Sequence, residues 1–300
     1  MNGVRRKKRT SVLRGSGINP KGFHRSQLKF YAYLMPIAAF MMLPIVFITI
    51  SAFKPIEELF AYPPRFYVKR PTLNNFIMLL GLSSNTNIPA SRYLFNSIVS
   101  TAVVVLLNLI ITSSAGYVFS KKKFKHKELL FNINTLALMF VPVAVGIPRY
   151  FIIVYTGLLN SFMAHIIPVL AMPVGLFLVK QFIDQIPDSI IESAAIEGAS
   201  SYRILGSIVI PMIKPALSTV AILSFQASWN SVEASTMYIN NETLKNFAFY
   251  MSTLSNSTGN IVAGQGVSAA ASLIMFLPNL IIFIVLQSRV MNTMAHSGLK

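Results

Sequence analysis

Residues 192–217 read ESAAIEGASSYRILGSIVIPMIKPAL. The stretch holds Glu192 and Glu197, small residues, Gly198, and prolines at 211 and 215, between two long apolar blocks. Ser189 followed three residues later by Glu192 has the pattern of a capping box, with Ser189 as N-cap. Asp188 and Glu192 place negative charge at the start of such a helix, where its dipole favours it. Gly198 stands where a glycine just past the last turn ends a helix. The stretch therefore predicts a short helix over 189–198, with about eight helical residues and a length of roughly 12 Å. A helix of that length is not stable alone in water, so it rests either on lipid head groups or on a partner surface. Ser193, Ala194 and Ala195 give it a low face for close approach, and Glu192 and Glu197 are its charged handles.

Composition sets the environment. Of 300 residues, 54% are hydrophobic and 12% charged, with a mean hydropathy of +0.60. Soluble domains carry about 25% charged residues, so this chain is built for a bilayer. It has no cysteine, which excludes a disulfide framework and cysteine-based metal or redox chemistry. A net charge of +17 would point to nucleic acid in a soluble protein. Here the basic residues flank apolar blocks, where they report topology instead.

A crossing takes about 20 mostly apolar residues. The uncharged intervals predict six transmembrane helices over about 30–53, 93–120, 129–148, 162–179, 206–230 and 267–288. Residues 1–29 form a basic tail, and 30–300 the membrane domain. The turn-like GLLNS at 157–161 separates the fourth crossing from the apolar residues before it. With six crossings, both termini share a side. That side carries nineteen Lys and Arg residues, among them the five lysines of KKKFKHK at 121–127, against seven on the other. The positive-inside rule then puts both termini, and the helix at 189–198, in the cytoplasm.

Enzymatic machinery is missing from the sequence. It contains no G-x-x-x-x-G-K-[ST] phosphate loop, H-E-x-x-H or G-x-S-x-G motif. Four scattered histidines have no partners at metal-ligand spacing, and His165 reads as an interhelical hydrogen-bonding group. The acidic residues, at 57, 58, 128, 184, 188, 192, 197, 233 and 242, all fall at the ends of crossings or in loops. A proton-driven carrier needs carboxylates within the membrane, so transport energy would enter from outside the bilayer.

The order Glu192-Ser193-Ala194, three residues, Gly198, nine residues, Ile208-x-Ile210-Pro211 resembles the EAA loop of bacterial ABC importer permeases, which reads E-A-A-x(3)-G-x(9)-I-x-L-P. Serine replaces the first alanine, and isoleucine replaces leucine before the proline. SAFKPIEELFAYPPRF at 51–66, NSIVSTAVVVLLN at 96–108 and SWN at 228–230 extend the resemblance to the carbohydrate branch. The nearest type is the six-span permease of maltose and multiple-sugar systems. The resemblance implies the all-α type I importer permease fold, in a bacterial inner or plasma membrane. It implies as partners a second homologous permease, two copies of a cytoplasmic ATPase that uses ATP and Mg, and an extracytoplasmic solute-binding protein. No cofactor is implied on this chain. Glu192, Ser193, Ala194, Ala195, Glu197, Gly198, Ile208 and Pro211 would form the ATPase-coupling surface, with Pro211 and Pro215 setting the angle of the fifth crossing.

Polar residues within the crossings are candidates for the translocation path: Asn108, Asn132, Asn134, Thr135, Gln226, Trp229, Asn230 and Asn279. Trp229 beside Asn230 joins an aromatic face to an amide, a pairing suited to sugars. Each of these residues can equally be packing glue between helices. An importer for a non-sugar solute, a sodium-driven carrier and a membrane scaffold are the competing readings. Of these, the carrier predicts uptake without partner subunits.

Overall fold

In the computed structural model, residues 27–61, 63, 65–81, 88–257 and 261–297 are described. Most of the basic tail lies outside them. The described elements are all helical: α1 (Leu28–Phe53), α2 (Ile56–Leu59), α3 (Asn74–Gly81), α4 (Ala90–Lys121), α5 (Lys127–Ala137), α6 (Gly146–Tyr155), α7 (Ile167–Leu170), α8 (Pro173–Asp184), α9 (Asp188–Ile196), α10 (Ser201–Ile204), α11 (Ile210–Met212), α12 (Lys214–Trp229), α13 (Glu233–Met237), α14 (Phe247–Ser257) and α15 (Ile261–Ser297). Three described stretches are long and apolar enough to cross a membrane: α1, α4 and Gly264–Gln287 of α15. Two bent pairs also qualify if each counts as one span. These are Phe162–Leu170 with Pro173–Asp184, bent by 42°, and Ser201–Met212 with Lys214–Met237, bent by 84°.

α4 packs closely against both α12 and α8, which also touch each other. Lipid is as apolar as leucine, so helices in a bilayer associate through close packing and hydrogen bonds. The buried face of α4 is accordingly small and polar: Ser97, Ser100, Thr101, Asn108, Thr112, Ser113 and Gly116. Thr101 meets Ser228 of α12 at 3.1 Å. A Cβ on Gly116 would lie 2.7 Å from Cγ1 of Val179, so glycine is what lets α8 approach. One core cluster packs Tyr93 at the first end of α4 with Ala52, Phe247, Tyr250 and Ala270. A second packs Tyr117 near the other end with Val179, Ile183, Ile204, Val209 and Ile213. At 1.5 Å per residue, Tyr93 and Tyr117 are about 36 Å apart along the axis, a little more than a bilayer's hydrocarbon thickness.

Three of the expected crossings are not single helices. The fifth, 206–230, opens with a π-turn over Leu205–Val209 and the short α11, then breaks at Ile213 before α12. Residues 129–148 divide into α5 and α6, with turns over 138–145. Pro142, Gly146 and Pro148 explain the break, because proline cannot continue the backbone ladder and glycine is a poor helix former. Residues 162–179 open with a 3-10 turn over Phe162–His165, break at 171–172 and continue as α8 to Asp184. Pro168 and Pro173 interrupt that interval in the same way. The GLLNS turn is present. Gly157 and Asn160 both have positive φ, and Asn160 Oδ1 accepts from the backbone N–H groups of Asn240 (3.1 Å) and Asn241 (2.7 Å).

Candidate functional site: the α8–α12 elbow

α8 ends at Asp184, and the chain turns through Gln185–Pro187 into α9. The residue before the helix is Pro187, extended at φ −57 and ψ 134, and no side chain caps the turn. The expected capping box is therefore replaced. The helix begins at Asp188, with the N-cap two residues before the expected Ser189, which lies inside the first turn. Proline supplies the fixed backbone angle just outside the helix, and Asp188 supplies the first-turn negative charge. The exit is as expected. Gly198 sits at φ +82, its N–H donates to Ala195 O at 3.0 Å, and the Ala199 N–H donates to Ala194 O at 3.0 Å. These are the paired bonds of a Schellman motif.

Three consecutive residues at the end of α4 clamp this elbow. Ser120 Oγ donates to Asp184 Oδ1 at 2.6 Å. Lys121 Nζ donates to the Ile186 carbonyl at 2.6 Å and pairs with Asp188 at 2.6 Å. Lys122 Nζ donates to Ser201 Oγ at 2.8 Å. The remaining oxygen of Asp184 takes Lys180 at 2.7 Å. The hydrogen bond and charge of Lys121 hold the Asp188 carboxyl below its ordinary value. Composition reads these lysines as topological markers, so this clamp is absent from the sequence reading. Its one signal was the coincidence of a Lys-rich helix end with an Asp-rich one.

α9 presents two faces. Ile191 and Ala194 turn toward the core cluster of Tyr117, Val179 and Ile204. Glu192, Ser193, Ala195, Glu197 and Gly198 are exposed, as is Pro211, while Ile208 is half-buried. Ala194 is thus apart from the outward face that its neighbours form. Ala194, Glu197, Arg203 and Ile208 line a cleft of ≈ 210 Å³ beside the helix. Two residues outside the expected set stand out there: Ile196 is 87% exposed and Tyr202 88%. From Leu205 to Val209 the chain makes a π-turn, and α12 then starts at Lys214.

Among the candidate path residues, Trp229, Asn230 and Asn279 come together, and Gln226 joins them only through its backbone carbonyl. Trp229 is buried, stacks on Phe225 at 5.6 Å and donates from Nε1 to Met275 O at 3.0 Å. Asn279 Nδ2 donates to Asn230 Oδ1 at 3.3 Å and to Met275 O at 3.0 Å, while its Oδ1 is buried without a partner. Gln226 is exposed, and its carbonyl accepts from Asn230 Nδ2 at 3.2 Å. Trp229 also lines an apolar groove of ≈ 680 Å³ with Thr101, Leu106 and Pro278. Asn134 lies elsewhere, donating to Pro173 O at 3.2 Å at the break before α8. Asn108 donates to Val169 O at 3.3 Å, Thr135 bonds its own helix at Phe131 O, and Asn132 is exposed. His165 is buried with Nε2 3.0 Å from Leu244 O, and no three His, Cys, Asp or Glu residues among those described are grouped to hold a metal.

The family described as the binding-protein-dependent transport system inner membrane component matches residues 22–288. The chain belongs to this family. As an inner membrane component it is similar to the sulfoquinovosyl glycerol transport system permease protein SmoH of Agrobacterium fabrum, at 25% identity over 86% of this chain and 89% of that one. It is also similar to the arabinooligosaccharides transport system permease protein AraQ of Halalkalibacterium halodurans, at 25% identity over 90% and 94% of the two chains. A crystal structure of a bacterial ABC transporter involved in the import of the acidic polysaccharide alginate contains a chain of the same fold. It superposes with a TM-score of 0.72 at 19% identity, over 89% of this permease and 98% of that chain.

Proposed function

We propose that this permease carries a sugar or oligosaccharide across a bacterial inner or plasma membrane, as one subunit of an ATP-driven importer whose ATPase lies on other chains. The carbohydrate reading draws on the relatives named for sugar glycosides and arabinooligosaccharides. α9 is the coupling helix. The observation that carries this role is its exposed surface, where Glu192, Ser193, Ala195 and Glu197 adjoin the nearly bare Ile196 and Tyr202. Two large apolar side chains left open beside two carboxylates suit a protein partner better than an anionic head-group layer.

In this reading the chain crosses the bilayer six times, with α5 and α6 together completing the third crossing and both termini in the cytoplasm. Its partners are a second permease, two ATPase copies that use ATP and Mg, and an extracytoplasmic binding protein. The chain itself holds no cofactor and performs no catalysis. Glu192 anchors the ATPase, Gly198 allows the turn, and Ile208 and Pro211 carry its movement into α12 as a rigid-body shift. The cluster of Gln226, Trp229, Asn230 and Asn279 borders the translocation path, and Asn134 serves as interhelical glue.

Glu192→Ala and Gly198→Trp, assayed for oligosaccharide uptake in a correctly inserted complex, test the coupling role. Uptake should collapse while the amount of complex in the membrane stays constant; unchanged uptake overturns it.

A further inference from the structure

The lysines of residues 121–127 divide into two sets. Lys121 and Lys122 reach inward to Ile186, Asp188 and Ser201, and Lys127 Nζ donates to Ser120 O at 3.1 Å. Lys123 and Lys125 are exposed and have no ion pair or side-chain hydrogen bond among the described residues. The carboxylates of Asp184 and Asp188 already hold closer partners in Ser120, Lys180 and Lys121, and Lys123 acts on Asp188 only as a more distant charge. The level of this turn in the bilayer follows from its neighbours. α4 leaves the apolar layer at Lys121, and α5 exposes Leu129, Leu130, Ile133 and Leu136 within a few residues of it. A turn between two such helices sits in the head-group region.

Behind the turn runs a file of four rings. Phe124 lies 5.8 Å from Phe119, Phe119 6.0 Å from Phe131, and Phe131 stacks on Phe177 at 6.1 Å. Lys180 Nζ sits 4.6 Å above the Phe131 ring. Aromatic bodies at the interface with lysines extended toward the head groups form a surface for acyl chains below and phosphates above.

We propose that residues 122–126, with this file of rings, form a site for anionic phospholipid, and that the bound lipid steadies α9 through Lys121 and Lys122. Lys123 and Lys125 receive the lipid phosphate, while Phe124 rests on its upper acyl chain. A turn held in this way keeps its neighbouring lysines in place on Asp188 and Ser201. The site rests on the chain spanning a bilayer, and its bearing on transport rests on the coupling role proposed for α9.

The test places the full-length chain in bilayer discs of phosphatidylcholine with graded phosphatidylglycerol. Native mass spectrometry counts the retained lipids, and hydrogen exchange follows amides 189–199. The wild type should retain phosphatidylglycerol preferentially. Lys123→Gln/Lys125→Gln should lose about fivefold in that preference per lysine, and Lys123→Arg/Lys125→Arg should keep it. Exchange over 189–199 should slow with added phosphatidylglycerol in the wild type but not in the glutamine variant. No preference in the wild type, or full preference in the glutamine variant, overturns the site. Lipid preference without any effect on exchange overturns the link to α9. Uptake is not among these readouts, so failure of the transport reading stays distinguishable.

Discussion

Lys121, the last residue of α4, is ion-paired at 2.6 Å with Asp188, the first residue of α9. The lysine side chain is 7% exposed and the aspartate 74%. The two ends of the pair are therefore unequal, because the exposed partner is screened by water, whereas Lys121 also serves the Ile186 carbonyl.

Lys121→Met should accordingly loosen α9 more than Asp188→Asn does. Loss of one charge-assisted hydrogen bond, net about 1.5 kcal/mol, corresponds to roughly tenfold faster hydrogen exchange over 189–199. Asp188→Asn should accelerate the same amides only slightly. Equal effects would show that the carbonyl contact contributes nothing.

The pair also has a pH signature. Lys121 depresses the folded-state pKa of Asp188 below its unfolded value of 3.8. The stabilisation is then complete above the unfolded value and is lost as pH falls through the folded one. The advantage of the wild type over Asp188→Asn, read from thermal unfolding in detergent, should hold from neutral pH down to about pH 4 and vanish in stronger acid.

Gly198 is constrained by its backbone and not by space. Its φ is +82, and a Cβ there would meet nothing within 4 Å. Gly198→Val should cost about 1–2 kcal/mol in the order of the 196–199 turn, and Gly198→Asn clearly less, since asparagine tolerates this conformation. Exchange of the Gly198 and Ala199 amides measures the difference.

Gly266 is constrained by space. A Cβ would come 2.6 Å from Oδ1 of Asn75, whose Nδ2 donates to Ala52 O at 2.9 Å and Lys54 O at 2.8 Å. Gly266→Ala should push Asn75 off the last carbonyls of α1. Gly266→Ala and Asn75→Ala should then be strongly non-additive in thermal stability, because both break the same contact. Additive losses would disprove the shared cause.

Trp229 is the single tryptophan, and it is buried. Intrinsic fluorescence thus reports one site, expected to be blue-shifted and shielded from acrylamide. Asn279→Ala should change that emission, because Asn279 and Trp229 donate to the same Met275 carbonyl. Asn134→Ala should leave it unaltered, because Asn134 lies at the α8 break.

The apolar blocks and the exit of α9 were legible because both follow local rules: a run without charge, and a glycine where the chain needs a backbone angle that other residues rarely adopt. The start of α9 lies two residues before the one that Ser189 and Glu192 suggest as a capping-box pattern, because Pro187 sets the boundary. Residues 129–148 carry no charge and so resemble one crossing, but Pro142, Gly146 and Pro148 divide them. The clamp of Ser120, Lys121 and Lys122 joins residues more than 60 positions apart, beyond any local pattern. Ile196 and Tyr202 were legible only as apolar letters; their exposure depends on which side of α9 the core occupies.

The 84° bend between Ser201–Met212 and the helix beginning at Lys214 makes the elbow a crank. The twelve residues before the bend are an arm of about 18 Å, set nearly at right angles to α12. A sideways push of about 3 Å at the Ser201 end would swing such an arm by about 10°. α12 would then be twisted about its own length without being pulled toward the push. Gln226, Trp229 and Asn230 ride on that shaft, so torque applied near the Lys122 contact would re-aim side chains at the far end of the same helix.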